Sequence, residues 1–495
     1  MQLIEVKRNA IINVAGWIIP IFVLLALTPV MIEHLGTDGF GVIIIIQILT
    51  GYMTILNFGF SEAIIKQVAE NKTQSPDRAM RILWMGLGLF TGTGLLGAIT
   101  IYLCSDWLVY QILTIPDHLQ DDAASALQVG SLVFLLQMIA EYYRGSALGH
   151  NRFDIPSACK IVRVALSAIF IYVALISGGG LTSVMLGTLG GLVVGLLLNM
   201  IWMQRSMPMN WISHGYRGVL NELLHFGKHI FFSRLANMFS SKINQLFLGT
   251  LSSVSNVALY AVPVRVAESA SSILNTMLQV FYPGFSAMDK KTDADKIRNI
   301  YFSILSIQLF ITVPLAIGVI LEGPALLALW IDPQFALEAS AIINIVVATY
   351  FLSALTGLPS YTAMSHNHPE LISRYSIYRV IIVGITVYPL VKYFGITGAA
   401  WVLLLSELPA FAFFYESTKK SLNENFYRVL AGPITKHMVI GSSLIIIYET
   451  LYRGSIWYHP AATLLVIILH TGIAYISGAI NATDSRRLLR LVKAW

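Results

Sequence analysis

The sequence predicts an all-α polytopic membrane protein of about 14 transmembrane helices, and three observations predict it. Of the 495 residues, 56% are hydrophobic and only 12% are charged, with a mean hydropathy of +0.71. A soluble domain carries about 25% charged residues, because water must wet its surface. The other two observations are a series of apolar stretches of membrane length and the way the basic residues are distributed between them.

The apolar stretches follow one another along the whole chain. A helix needs about 20 apolar residues to cross the hydrocarbon core of a bilayer. The predicted spans are 10–32, 40–62, 81–103, 125–147, 158–177, 181–203, 227–250, 255–285, 299–321, 337–363, 373–392, 396–416, 433–452 and 457–479.

The basic residues predict the orientation of these spans. With the N-terminus in the cytoplasm, nearly all of the 32 Lys and Arg residues fall in segments predicted inside, and only Lys392 and Arg453 fall outside. Arg234, Lys242 and Arg265 lie within spans. This alternation follows the positive-inside rule. It predicts a multi-pass protein of the bacterial cytoplasmic membrane with both termini cytoplasmic. The net charge of +6 then reflects this topology, and no nucleic acid is predicted as a partner.

Short internal matches predict two lobes. Leu35-Gly36-Thr37 follows the first span and Leu248-Gly249-Thr250 ends the seventh, as in a chain built from two similar halves. The predicted organisation is an N-terminal lobe at 1–204, a cytoplasmic linker at 205–225, a C-terminal lobe at 226–418, and an additional helix pair with a cytoplasmic tail at 419–495.

Glycines on two spans predict close helix packing. Gly187, Gly191 and Gly195 recur every four residues on the sixth span, and small residues at this spacing let helix backbones approach in a membrane. The same role is predicted on the third span for Gly88, Gly92 and Gly97.

Catalysis is disfavoured by what the loops contain. The loops are short, and none carries a phosphate-binding GxxxxGK[ST], an HExxH or a GxSxG motif. The two cysteines lack metal-ligand spacing, so no metal site is predicted. Because the catalytic motifs are missing, no catalytic residue is predicted either. The sequence therefore indicates a transporter and not an enzyme, with no cofactor and with coupling to H⁺ or Na⁺ left open.

Charged residues inside the spans mark the candidate substrate site. An ionisable side chain at the centre of a spanning helix costs about 2.5–3.5 kcal/mol unless it faces a cavity or a partner. Polar residues form one stripe on the seventh span and another on the eighth, which predicts a cationic cavity for an anionic substrate. The alternative is that carboxylates from elsewhere pair with the cations. The predicted cavity residues are Arg234, Asn237, Ser241, Lys242, Arg265, Glu268 and Ser272.

Three other carboxylates are candidates for ion coupling, because buried carboxylates can titrate near neutral pH. Glu407 lies within the predicted twelfth span, just before Pro409, and is the favoured candidate. Glu141 lies three residues before Arg144, so a plain ion pair is the favoured interpretation there. Glu62 is the third candidate.

Three segments resemble the bacterial polysaccharide flippases. They are NFGFSEAIIKQVAE at 57–70, EYYRGSALGHNRFDIPSACKIVR at 141–163 and FGITGAAW at 394–401. With the predicted layout, the chain resembles the O-antigen and exopolysaccharide repeat-unit flippases of the multidrug/oligosaccharidyl-lipid/polysaccharide exporter superfamily. The resemblance implies a V-shaped pair of six-helix lobes with a cavity lined by spans 1, 2, 7 and 8. It also implies an undecaprenyl-pyrophosphate-linked oligosaccharide as substrate, moved from the inner to the outer leaflet by alternating access.

Other functions stay open at this point. A multidrug or small-solute antiporter of the same fold is disfavoured by the excess of Arg and Lys in the predicted cavity. A peptidoglycan-precursor flippase would carry a similar polyprenyl pyrophosphate, and a membrane glycosyltransferase is disfavoured by the short loops. The predicted partners are the lipid-linked oligosaccharide, membrane lipid and the polysaccharide polymerase machinery.

Overall fold

The computed structural model is built from helices throughout the ranges it describes. These ranges are 2–53, 57–71, 75–150, 152, 154–206, 218, 220, 239, 242–279, 285, 288, 292–366, 368–422, 434–452 and 460–476. The first six helices are α1 Gln2–Met53, α2 Phe60–Asn71, α3 Pro76–Trp107, α4 Asp117–Gly149, α5 Asp154–Ile176 and α6 Leu181–Ser206. Residues 242–251 form α7. The remaining helices are α8 Val254–Gln279, α9 Ala294–Trp330, α10 Pro333–Leu355, α11 Gly357–Ser365, α12 Pro369–Ser406, α13 Pro409–Ser417, α14 Thr435–Tyr452 and α15 Pro460–Ile476.

Nine helices in the described part of the chain are long and apolar enough to cross a membrane. Two of them contain a sharp break at a glycine with positive φ, Gly36 (φ 70°) in α1 and Gly395 (φ 55°) in α12. The segment Glu370–Lys420 would measure about 76 Å as one straight helix at 1.5 Å per residue, against a core of about 30 Å. Each broken helix therefore covers two of the predicted spans. The protein is a multi-pass helical membrane protein, and the count of fourteen stays a prediction.

The break at Gly395 falls within FGITGAAW, between the predicted eleventh and twelfth spans. Its φ of 55° is reached readily by glycine and rarely by residues with a Cβ. A Cβ at Gly398 would collide with the carbonyl group of Leu390. Glycine is therefore needed at this position, where the chain reverses direction after Gly395.

The chain divides into two compact units, 1–258 and 259–495. Most of the predicted linker at 205–225 lies outside the described residues, so the predicted domain boundaries and the arrangement of the lobes stay predictions.

Glycines hold α5 against α6 in the first unit. A Cβ at Gly187 would lie 2.9 Å from the backbone nitrogen of Ile171, and one at Gly191 would lie 2.5 Å from that of Ser167. A Cβ at Gly195 would lie 2.8 Å from the Cβ of Arg163. The predicted packing role of these three glycines is confirmed, because every added methyl group would push the two helices apart.

The corresponding prediction for α3 was wrong at two positions. A Cβ at Gly88 or Gly92 would meet no atom within 4 Å, and both residues are exposed. The close contacts belong to Gly86, which packs against Ile64, and to Gly94, which packs against Leu135 and Met138. The packed face of α3 is therefore rotated relative to the predicted one.

In the second unit, α9 lies at the centre of the core. Its buried side chains include Ile304, Leu305 and Leu309, and they share a cluster with Leu358 of α11. The last two helices, α14 and α15, also pack against α9. The buried Glu322 of α9 accepts hydrogen bonds from the hydroxyl groups of Tyr448 (3.0 Å) and Thr463. The predicted additional helix pair is thus joined to the second unit by polar as well as apolar contacts.

Candidate functional site

The predicted cavity residues fall into three groups in the structure. Arg234, Asn237 and Ser241 lie outside the described residues. Lys242 is the first described residue of α7 and is partly buried, in the first unit. Arg265, Glu268 and Ser272 lie on α8 in the second unit. Because the two units are described separately, the predicted ladder of cations across the membrane stays a prediction.

On α8, Arg265 and Glu268 lie three residues apart and within electrostatic range of each other. The guanidinium of Arg265 is stabilised electrostatically by the carboxylate of Glu268, three residues further along the helix. Both side chains are partly buried, and so is that of Ser272. Arg265 therefore has a carboxylate of its own helix nearby while it lies within a membrane-length segment.

A buried ion pair that was not predicted joins Arg379 of α12 to Glu407, the residue that follows this helix. A guanidinium nitrogen of Arg379 lies 2.9 Å from a carboxylate oxygen of Glu407, which is 1% exposed. The hydroxyl of Tyr375 donates to the other carboxylate oxygen, and the Tyr375 ring lies 5.6 Å from the guanidinium carbon. Tyr375 in turn stacks on Phe413, with 5.1 Å between ring centroids. Arg379 had been counted only among the basic residues of the segments predicted inside.

Glu407 itself lies at a second break in the chain, after the return at Gly395. Glu407 is the residue that follows the last turn of α12, and α13 begins two residues later at Pro409. Proline has no backbone N–H and cannot continue a helix from the preceding turn, so the chain breaks at this point. The carboxylate is held at the break between two helices and not along the side of one continuous span.

Tyr350 of α10 is near charged residues of both α8 and the α12–α13 break. It is within electrostatic range of the carboxylates of Glu268 and Glu407 and of the guanidinium of Arg379. The cluster therefore joins α8, α10 and α12, and its two arginines are matched by two carboxylates. The predicted excess of positive charge in the cavity stays a prediction, because Arg234 lies outside the described residues and Lys242 lies in the first unit.

An apolar cavity of about 370 Å³ adjoins this network. It lies between α8, α9 and α10 and is lined by Pro263, Ala270, Leu315, Trp330 and Tyr350 among others. Tyr350 belongs to both the network and the cavity wall. A cavity of this kind accommodates hydrocarbon, whereas the neighbouring ion pairs provide charged groups.

The two other carboxylate candidates meet in the first unit. Both oxygens of Glu141 accept hydrogen bonds from Arg144, at 2.8 and 2.5 Å, so the interpretation of Glu141 as an ion pair is confirmed. Arg144 also donates to the hydroxyl of Ser61 (3.1 Å) and interacts electrostatically with Glu62. Ser61 and Glu62 belong to segment 57–70 and the other two residues to segment 141–163. Two of the three segments that carry the family resemblance therefore pack on each other.

Membrane-length helices that bury charged pairs, together with an apolar cavity, define the class of multi-pass transport proteins. The sequence profile of the family described as "Polysaccharide biosynthesis protein" matches residues 34–336, and the chain belongs to this family. The predicted membership of a polysaccharide flippase family is thereby confirmed.

Individual relatives agree with this class. The chain is 19% identical over 400 residues to a putative O-antigen transporter of Shigella flexneri, covering 80% of this chain and 93% of the relative. Its fold is similar to that of the lipid II flippase MurJ in an inward closed conformation, with a TM-score of 0.67, 12% identity, and coverage of 94% of this chain and 97% of MurJ. It is also similar to an inward-facing multidrug resistance MATE family transporter of the MOP superfamily, with a TM-score of 0.64, 15% identity, and coverage of 83% and 98%. These structures establish the fold.

Proposed function

We propose that this chain is a flippase for a lipid-linked oligosaccharide used in polysaccharide biosynthesis. The substrate is a repeat unit attached to a polyprenyl pyrophosphate, and it moves from the inner to the outer leaflet of the bacterial cytoplasmic membrane. Both termini are cytoplasmic, and the polysaccharide polymerase machinery receives the product outside. Membership of the family, the transporter named among its relatives and the chain of membrane-length helices support this proposal.

The observation that carries the proposal is the placement of Arg265 and Glu268 within a membrane-length helix of a chain from this family. An intramembrane charge is expensive, so its default interpretation is a substrate or ion pathway. A guanidinium matches a phosphate in a bidentate geometry. In the proposed cycle, Arg265 exchanges Glu268 for the pyrophosphate when substrate binds and returns to Glu268 when substrate leaves. Arg234, Asn237, Ser241, Lys242 and Ser272 are the other proposed contacts.

Release requires that the substrate lose this contact in the second state. A ligand that binds both conformations equally tightly does not shift the equilibrium between them, and it is released slowly. Glu268 provides the competing partner that frees the pyrophosphate. The adjoining apolar cavity is the proposed place for hydrocarbon of the lipid, since its wall is almost wholly apolar.

Coupling to H⁺ or Na⁺ is a further part of the proposal, with Glu407, Glu141 and Glu62 as the candidates. Glu407 is the most deeply buried of the three, but it is bound by Arg379 and Tyr375. For Glu407 to take up an ion, Arg379 has to move away during the cycle.

Gene deletion tests the proposed function. We expect a lipid-linked oligosaccharide to accumulate in the inner leaflet of the deletion strain and the surface polysaccharide to be lost. Accumulation of a peptidoglycan precursor, or increased drug sensitivity with normal surface glycan, would contradict the proposal in favour of the other functions of this fold.

Complementation then tests the roles of the two α8 residues. Arg265→Ala and Glu268→Gln are each expected to reduce export, and the double variant is expected to be milder than the product of the two effects, because each change alone leaves a charge without its counterpart. Arg374→Gln is the matched control, since Arg374 is paired with Glu416 and both side chains are over a third exposed. Effects that simply multiply would show that Arg265 and Glu268 act independently.

A further inference from the structure

The last two helices carry two buried histidines that the proposed transport cycle does not use. His437 lies in the first turn of α14 and His470 in the second half of α15, and both side chains are 0% exposed. Their rings pack against each other across the two helices, with 5.4 Å between the centroids and an interplanar angle of 34°. We refer to these two side chains as the histidine pair.

The histidine pair lies where α14 and α15 pack on α9. One turn after His437, a Cβ at Gly441 would lie 3.0 Å from the side chain of Val313 of α9. On the other helix, Ile467 precedes His470 by three residues, and its side chain would lie 3.5 Å from a Cβ at Gly318 of α9. The imidazoles are therefore held in an apolar contact between helices.

His470 has a capacity for hydrogen bonding that the described part of the chain does not use. Neither of its ring nitrogens makes a hydrogen bond of ordinary geometry there, although the backbone of His437 is near enough to interact with the ring. Buried polar groups nearly always have a partner. An imidazole carries one nitrogen that accepts a proton and one that donates a hydrogen bond. A buried imidazole in this situation is suited to bind a small ligand.

The ligand that fits the histidine pair is a single proton. Zinc takes four ligands in proteins, whereas the described residues contain no group of three His, Cys, Asp or Glu side chains that could hold a metal ion. A proton needs only one ring nitrogen, and histidine is the side chain that exchanges protons near neutral pH. Two protons would place like charges on touching rings in apolar surroundings, so the two rings share one.

A buried carboxylate lies on the same interface between helices. Glu322 of α9 is 6% exposed and accepts hydrogen bonds from the hydroxyl groups of Tyr448 and Thr463, and among the described residues no basic side chain pairs with it. Thr463 and His470 share one face of α15 and are about 10 Å apart along the helix axis. A charge on the histidine pair and the carboxylate of Glu322 attract each other at this distance in a medium of low dielectric constant.

We propose that the histidine pair is a proton-binding site with Glu322 as its counter-charge. The predicted spans place His437 about 6 Å and His470 about 14 Å from the cytoplasmic ends of their helices, so the proton enters from the cytoplasm. Lys436, the basic residue beside the pair on α14, is exposed. The site uses none of the three carboxylates proposed above for ion coupling. Coupling of this proton to export rests on the proposed function, whereas proton binding itself does not.

Titration of the purified full chain tests the proposal. Protein labelled with ¹⁵N-histidine is reconstituted in phosphatidylcholine bilayers, and solid-state NMR measures the imidazole ¹⁵N shifts between about pH 8 and pH 5. We expect the signals that are lost in His437→Phe and in His470→Phe to change together over this range, with one proton taken up by the two rings. Phenylalanine keeps a ring in the contact, and either variant identifies the pair if the other fails to fold.

The variant Glu322→Gln tests the counter-charge. Loss of the negative charge is expected to weaken proton binding by about tenfold, so the midpoint of the titration falls by about one pH unit. His34 is the matched control, because it is exposed and lies in the other unit. It should titrate alone and should be unaffected by Glu322→Gln. An unchanged midpoint for the histidine pair, or an equal shift for His34, would contradict the role of Glu322.

Three results would overturn the proton site. Rings that stay neutral throughout the range would show that the histidines only pack. Independent protonation of both rings would show that they share no proton. Changes in the signals on addition of Zn²⁺ at constant pH, without a response to pH, would show a metal site. Because no step of this titration requires translocation, its failure leaves the gene-deletion result untouched.

Complementation of the deletion strain tests the coupling separately. His470→Phe is expected to reduce export of the surface polysaccharide several-fold at a normal protein level, and His34→Phe is expected to export like the wild type. Normal export by His470→Phe would overturn the coupling of this proton to transport.

Discussion

The buried pair of Arg379 and Glu407 allows a quantitative test of the second unit. Glu407 is 1% exposed and the Arg379 side chain is 21% exposed. In Glu407→Gln, the amide can still accept from Tyr375, but the guanidinium loses its counter-charge. Removing one partner of a buried ion pair costs about 3–5 kcal/mol. We expect a destabilisation of about 3 kcal/mol, the lower end of this range, because the Arg379 side chain is partly exposed.

In the assay, a denaturing detergent unfolds the solubilised protein and tryptophan fluorescence reports the unfolding. Arg379→Met alone should destabilise to a similar extent, since it leaves Glu407 buried without its cation. The double variant Arg379→Met/Glu407→Gln should recover part of the loss, giving a coupling free energy of about 2 kcal/mol. Glu416→Gln is the control, because its pair with Arg374 is exposed and pairs of this kind are worth about 0–1 kcal/mol.

Two results would refute this reasoning. If Glu407→Gln is no more destabilising than Glu416→Gln, the carboxylate is not held in a buried pair. If the effects at 379 and 407 are additive, the two side chains do not interact and the contact between them is incidental.

Two further predictions concern packing and topology. Gly191→Leu should destabilise the solubilised protein by about 1–3 kcal/mol, because the added side chain forces α5 away from α6. Gly88→Leu is the control and should unfold like the wild type. Equal unfolding of the two variants would contradict the packing assignment. In a chain with both native cysteines replaced by serine, His118→Cys and Gln334→Cys should react with an impermeant thiol reagent in intact cells, and Asp295→Cys should react only after lysis. Labelling of Asp295→Cys from outside without labelling of Gln334→Cys would invert the predicted orientation from the eighth span onward.

Features that depend on neighbours in sequence were predictable. Hydropathy over windows of about 20 residues predicted a helical membrane protein, because the bilayer imposes its own length on each helix. The spacing of Glu141 and Arg144 predicted their ion pair, since residues three apart share a helix face. The four-residue repeat of Gly187, Gly191 and Gly195 predicted a packed face for the same reason.

The sequence by itself thus determined the class of protein, the family and the pair of Glu141 with Arg144. Only the tertiary structure decided which faces meet. Arg379 and Glu407 lie far apart in sequence and are brought together by the return of the chain at Gly395. The packed face of α3 uses Gly86 and Gly94 where the spacing favoured Gly88 and Gly92. The physical reason is that hydropathy and periodicity describe one helix at a time, whereas contacts between helices depend on the rotation and register of each helix against its neighbours.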